Sequence, residues 1–209
     1  MLKESGGRGN HADRRRAELV EAARQVVLER GMASTRVADI AKATNVSGGL
    51  IHYHFATKDD LMAEMLRVTS DSERRALDEI AAGPGTALER LDRVLRQYVP
   101  RTRTDQSWIL WIESWAAGLR APVLRDILNE LEAAWIGALE RVIQDGVASS
   151  EFQCEDPGAS AERLDALLDG LIVRCTLHPE AVPRKRILEH VRVAAAREVG
   201  LPRDAFPRS

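Results

Sequence analysis

Between Ser34 and Lys58 the chain gathers groups suited to binding phosphate and base edges: hydroxyls at Thr35, Ser47 and Thr57, the phenol of Tyr53, imidazoles at His52 and His54, and the cations Arg36, Lys42 and Lys58. The segment reads as a helix, a tight turn at Asn45 and a second short helix, the layout that sets a recognition helix into the major groove of duplex DNA. Gly48 and Gly49 leave the start of that second helix without side chains. His52 and His54 are two residues apart, so they do not share a helix face and are a poor metal pair. No Ser/His/Asp arrangement, phosphate-cradling glycine loop or helical Glu-x-x-His set is found. The residues therefore point to no catalytic centre, no metal and no cofactor.

A second concentration lies at 106–115, where Trp108, Trp111 and Trp115 follow one another at spacings of three and four. Helical geometry stacks such residues on one face. Trp135, in the following helix, completes the set of four tryptophans in a chain that is only 4% aromatic. Two readings stand side by side. The indoles are plain core, or they wall a cage for a cationic or flat apolar small molecule, with Glu113 balancing a cation.

The elements that must position these groups are all helical. Residues 1–12 are polar and glycine-rich and read as a flexible arm. An apolar stripe at Leu19, Ala22, Ala23, Val26 and Val27 predicts a first helix over 13–30, ended by Gly31. Thr35 is expected to cap a second helix, with Val37, Ile40 and Ala41 inward, and Ser47 a third through about His54. Asn45 suits a left-handed turn. Thr57-x-x-Asp60 opens a long fourth helix to about 82 with a capping-box-like start. After Gly83-Pro84-Gly85, Thr86 restarts a helix to about 102. Further helices follow at 105–119, 123–147, 159–177 and 184–199, each bounded by Gly or Pro. The tail 201–209 reads as flexible. No stretch alternates as a strand does, so the fold class is all-α with nine helices. The expected division is a DNA-reading domain over 13–58 and a larger helical regulatory and dimerisation domain over 59–200, with the fourth helix joining them.

Bulk properties agree with that division. The net charge is −2, yet residues 1–60 hold ten Lys/Arg against eight Asp/Glu. Charge distribution, rather than the sum, bears on nucleic-acid binding. Arg14–Arg16 read either as a solvated helix start or as phosphate contacts. Cys154 and Cys175 fit no paired motif and are expected to be reduced structural thiols. No secretory leader and no run of about 18 apolar residues is present, so a cytoplasmic chain without membrane contact is expected.

The residues Ile40-Ala41, Val46-Ser47, Gly49, Tyr53-His54-Phe55, Thr57-Lys58 and Leu61 together resemble the TetR family of bacterial regulators. The specific part spans 13–66, and the helix plan of the remainder is similar to the family's nine helices. The resemblance implies that Thr35 lies at a phosphate-facing helix start and that Ser47 caps the recognition helix. It implies close backbone approach to DNA at Gly49, phosphate and sugar contacts at Tyr53 and His54, and a phosphate clamp at Lys58. Arg36, Gly48, Leu50 and His52 share that surface. Three positions depart from the family: many members carry Lys or Arg at Gly48, Thr at Leu50 and Tyr at His52. Leu50 suits a thymine methyl rather than a hydrogen bond. Affinity then leans on Arg36, Lys42 and Arg14–Arg16. The Ser-x-Gly-apolar-Ile variant and the segment 111–124 resemble the BetI-like branch, whose known members respond to choline-type ligands.

The last two helices carry wide apolar faces, Leu164, Leu167, Leu168, Leu171, Ile172 and Cys175 on one and Ile187, Leu188, Val191 and Ala195 on the other. They read as a homodimer surface, a four-helix bundle with two helices from each subunit, or as faces buried within one chain. The whole predicts a dimeric, ligand-responsive regulator, a repressor reading a near-palindromic double-stranded operator. The alternative is a helical dimerisation module that has lost DNA contact.

Overall fold

The computed structural model describes residues 6–100 and 106–207, and nine α-helices with no strand occur among them. They are α1 (Gly6–Arg30), α2 (Val37–Thr44), α3 (Gly48–His54), α4 (Lys58–Ala82), α5 (Ala87–Tyr98), α6 (Ser107–Gly118), α7 (Pro122–Ala148), α8 (Pro157–Leu177) and α9 (Arg184–Glu198).

Local chemistry sets most helix ends. Gly31 follows α1 at φ +80°, a left-handed conformation that glycine adopts without steric cost. Asn45 ends α2 in the left-handed region, and its N–H reaches back to the carbonyls of Ala41 and Lys42. Thr57 and Asp60 cap α4 reciprocally: Thr57 N–H donates to Asp60 Oδ2, and Asp60 N–H to Thr57 Oγ1. Thr86 and Glu89 form the same box ahead of α5. Pro122 and Pro157 open α7 and α8 at positions where the missing N–H has no helical partner to lose.

Three features differ from the sequence reading. The helical run of α1 begins at Gly6, so residues 6–12 are helix rather than loose arm; residues 1–5 of that arm lie outside the described residues. In the tail, Phe206 is buried, its ring taken up by the apolar core. Burying a phenylalanine contributes roughly 1.5–3 kcal/mol. Positions 208–209 lie outside the described residues. The fifth helix stops at Tyr98 rather than near 102, and the expected start of the sixth at Asp105 also falls outside them.

The chain forms two compact units, residues 1–70 with 109–129, and 71–108 with 130–209. The first holds α1–α3, the start of α4, most of α6 and the first turns of α7. Its core is built from Leu19, Val27, Ile40, Ile51, Phe55, Leu61, Met62 and Met65. Gly118 lets α6 and α7 pack closely here, since a Cβ would lie 2.9 Å from Leu128 Cδ1. The second unit centres on Leu91, Val94, Leu95, Leu139, Val142, Leu164, Leu168, Ile187 and Val191. A buried ion pair joins α5 to α9 in it, Arg192 Nε to Asp92 Oδ1 at 2.7 Å. By sequence the DNA-reading domain ended at 58. The compact unit that contains it also takes in most of α6, a contribution from over 50 residues downstream that no local pattern reveals.

Candidate nucleic-acid interface

The three-residue turn Asn45-Val46-Ser47 separates α2 from α3. Ser47 Oγ accepts from Leu50 N–H and caps α3. The inward side of α3 is Ile51, with Phe55 following it into the core. Its outward side carries Gly49, His52 and Tyr53, which are exposed, Tyr53 at 80%; Gly48, Leu50 and His54 are half-buried. An exposed tyrosine ring set edge-on to His54, 5.1 Å between centroids, makes a polar-tipped aromatic surface. A Cβ at Gly48 would meet nothing within 4 Å, and one at Gly49 only Ser47 Oγ at 3.8 Å. Packing within the chain therefore does not demand glycine at either position.

The start of α2 differs from the reading of Thr35 as its cap. Thr35 is buried, at 1% exposure, and its hydroxyl donates to Gly31 O at 2.9 Å. Arg36 is the N-cap residue, and Asp39 Oδ2 accepts from its backbone N–H at 3.0 Å. The Arg36 side chain stays exposed. Lys58 Nζ donates to Thr35 O at 3.2 Å, which holds the start of α4 against that of α2. Thr35 thus closes a turn and leaves the outward role to Arg36.

Of the three N-terminal arginines, Arg16 faces inward. Its guanidinium lies over the Phe55 ring at 4.4 Å, donates to His54 O at 3.2 Å and pairs with Glu64. That contact orients the end of α3 from α1 and α4. Arg14 and Arg15 pair with Glu18 on their own helix, and Arg14 remains largely exposed.

In the second unit, Trp108 and Trp135 each pack against Tyr98. Trp108 stacks on Tyr98 with centroids 6.4 Å apart and donates from Nε1 to Tyr98 O at 3.2 Å; Trp135 sits edge-on to Tyr98 at 4.3 Å. The Tyr98 hydroxyl donates to Asp165 in a short hydrogen bond. Asp169, one turn along α8, adds a second carboxyl. Burial pushes Asp165 up to about 6, against the lowering effect of the Tyr98 hydrogen bond. Burial, with Asp165 and Glu132 nearby, pushes Asp169 up to about 7. Burial and the charge of Asp165 raise Tyr98 well above its usual value, so it remains a donor. Sequence reasoning missed Tyr98, Asp165 and Asp169. The available signal was two acids at i, i+4 interrupting the apolar face Leu164, Leu168, Ile172.

The single tryptophan stripe divides. Trp111 and Trp115 belong to the first unit, where they pair at 6.3 Å. Glu113 is there too, and its Oε2 accepts from Met32 N–H at 2.9 Å. Its carboxylate is therefore engaged by backbone rather than offered to a cation.

The apolar faces of α8 and α9 sort by exposure. Leu164, Leu168, Ile172, Ile187, Val191 and Ala195 are at 0–1% exposure and Leu188 at 9%, all within the chain's own core. Leu167, Leu171 and Cys175 remain partly exposed along one line of α8, with Gly170 exposed beside them. A helix between two neighbours buries one stripe internally and leaves a second outward. Among the described residues, no group of three or more His, Cys, Asp or Glu side chains could hold a metal ion, and no helix is long and apolar enough to cross a membrane.

Comparison with known proteins fits this geometry. Residues 19–65 match the model of the bacterial regulatory proteins of the tetR family, and residues 87–200 that of the BetI-type transcriptional repressor C-terminal domain. The HTH-type transcriptional regulator PksA of Bacillus subtilis is 29% identical over 185 residues, 86% of this chain and 89% of that protein. The HTH-type transcriptional regulator BetI of Escherichia coli is 28% identical over 179 residues, covering 82% and 87%. A transcriptional regulator of Saccharomonospora viridis, solved in complex with choline, superposes with TM-score 0.77 at 26% identity over 86% of this chain and 94% of that one. An exposed α3 on a three-helix head, matched by the first model, and a helical body matched by the second over more than half the chain give one conclusion: the chain belongs to the TetR family of transcriptional regulators and carries a BetI-type C-terminal domain.

Proposed function

We propose that this regulator is a cytoplasmic, dimeric repressor released from a near-palindromic operator by an organic cation. The observation that carries the effector class is the juxtaposition of Tyr98, Trp108 and Trp135 with Asp165 and Asp169. Aromatic faces attract a cation through their quadrupoles, and the buried carboxyls supply the countercharge. Burial disfavours the charged form of both acids, and the charge of Asp165 adds to this at Asp169. A cation beside them offsets both effects. A flat neutral molecule does not. The choline bound by the Saccharomonospora viridis regulator belongs to the favoured class.

On the DNA side, α3 offers Gly48, Gly49, Leu50, His52, Tyr53 and His54, and α2 offers Arg36. Thr35 and Lys58 act through the backbone they hold. Leu167, Leu171 and Cys175 supply the subunit contact, with Leu188 at its margin and the remaining α8 and α9 leucines supporting it from within. Two heads related by a two-fold axis then address half-sites one helical turn apart, about 34–36 Å, or a multiple of it.

Thermal unfolding of the full chain with choline, tetramethylammonium and betaine aldehyde, each against a neutral isostere such as 3,3-dimethylbutanol, tests the effector class. Stabilisation should grow with cation concentration and be absent with the isostere. Equal response to isostere and cation would make the tryptophans an apolar wall with no charge preference.

A further inference from the structure

We infer that Glu113 is a positioning residue for DNA reading: from α6 it fixes the turn between α1 and α2, and operator affinity is set through that contact. The observations lie within the first compact unit. Glu113 Oε2 accepts from Met32 N–H at 2.9 Å across 81 positions of sequence. Both carboxylate oxygens lie 3.2 Å from where a Cβ on Gly31 would sit, so a side chain there would push the carboxylate by a few tenths of an ångström, and φ +80° itself favours glycine. The turn so held continues outward by hydrogen bonds. Thr35 Oγ1 donates to Gly31 O at 2.9 Å, and Lys58 Nζ donates to Thr35 O at 3.2 Å. Arg36, next in sequence, caps α2 and presents its side chain to the exterior.

A side-chain oxygen accepting from a part-buried amide at 2.9 Å makes a bond of defined length and direction, which depends on the reach of the side chain. Met32 itself is buried at 1% exposure, so its side chain anchors the turn beside that bond. Displacing α6 by about an ångström breaks that bond, and the start of α2 loses its anchor. The inference needs DNA binding and does not depend on the chemistry of the effector.

The test uses full-length E113Q, E113D and E113A and an operator duplex selected from random DNA by the unaltered protein. Glutamine keeps the reach and an acceptor oxygen but loses the charge. Aspartate keeps the charge but falls one methylene short. Fluorescence anisotropy should place E113Q within about threefold of the parent, and E113D and E113A at least tenfold weaker, with non-specific DNA binding unchanged. Amide exchange at Met32 should be faster in E113D and E113A alone. Operator affinity within twofold for all three variants would overturn the inference. So would the opposite order, E113D intact and E113Q weak, because that marks a charge role. If E113A does not fold, the contrast between E113D and E113Q decides. Loss of cation stabilisation in the parent would count against the effector proposal and leave this result intact.

Discussion

Gly49→Ala separates folding from DNA reading by moving them in opposite directions. Within the chain the added methyl is accommodated: its nearest neighbour outside the local backbone is Ser47 Oγ at 3.8 Å, an ordinary contact. Gly49 is in α3 and shows no positive φ. Alanine there removes unfolded-state freedom and stabilises by up to about 1 kcal/mol. For a chain of this length that raises Tm by about 2–4 °C. On DNA the methyl stands on the exposed face of the recognition helix, beside His52 and Tyr53. Holding the backbone off the groove forfeits at least one good contact in each half-site, about 1–3 kcal/mol apiece. Over two half-sites the loss is at least about 2 kcal/mol, roughly thirtyfold. Differential scanning fluorimetry gives the first quantity, and anisotropy against selected and scrambled duplexes gives the second. A variant that is more stable and still binds the operator as tightly as the parent would refute close backbone approach at Gly49. A lower Tm would refute the reading of open space.

The remaining predictions concern the body. Burial places Asp169 near 7 and Asp165 near 6, so both are largely protonated at pH 5 and ionised at pH 8. Choline affinity should therefore rise about tenfold per pH unit for each proton released below those values, and level off by pH 8; calorimetry showing flat affinity from pH 5 to 8 would contradict it. Because the folded values lie above the unfolded one, the two acids favour folding at low pH, and that contribution is lost as pH rises towards 7. D169N should flatten this part of the stability profile, read as Tm at pH 5 against pH 8. Leu171→Glu places an unpaired charge on the partly exposed line of α8, twice per two-fold interface, and should weaken self-association at least about a hundredfold, roughly 3 kcal/mol. Sedimentation showing an unchanged dimer would move the subunit contact elsewhere.

The legible parts of this fold are those set by local chemistry. Asn45, Ser47, Thr57 with Asp60, and Thr86 announce their turns and caps because each acts on backbone within three or four residues. The exposed row on α3 was legible for the same reason: Ile51 and Phe55 claim the inward side and leave His52 and Tyr53 outside. Other features depend on partners far along the chain. Thr35 carries the residue type of a cap, yet its hydroxyl closes the preceding turn while Asp39 does the capping. Glu113 sits among tryptophans in sequence and meets Met32 in space. Trp108 shares a helical spacing with Trp111 and Trp115, but its ring partners are Tyr98 and, through it, Trp135. Periodicity says which residues share a face. It does not say which neighbour that face meets, and on α8 that left the internal stripe merged with the outward one.

In the proposed mechanism, effector and operator compete through one protein. Its most direct measurement is the dissociation constant of choline, or of whichever cation stabilises the chain, for the free protein and for the protein saturated with operator duplex. Linkage requires the operator to weaken cation binding by the same factor as the cation weakens operator binding. A matched factor of about 5–150 is expected in both directions, the usual span of allosteric coupling. Cation affinity identical with and without operator would contradict it.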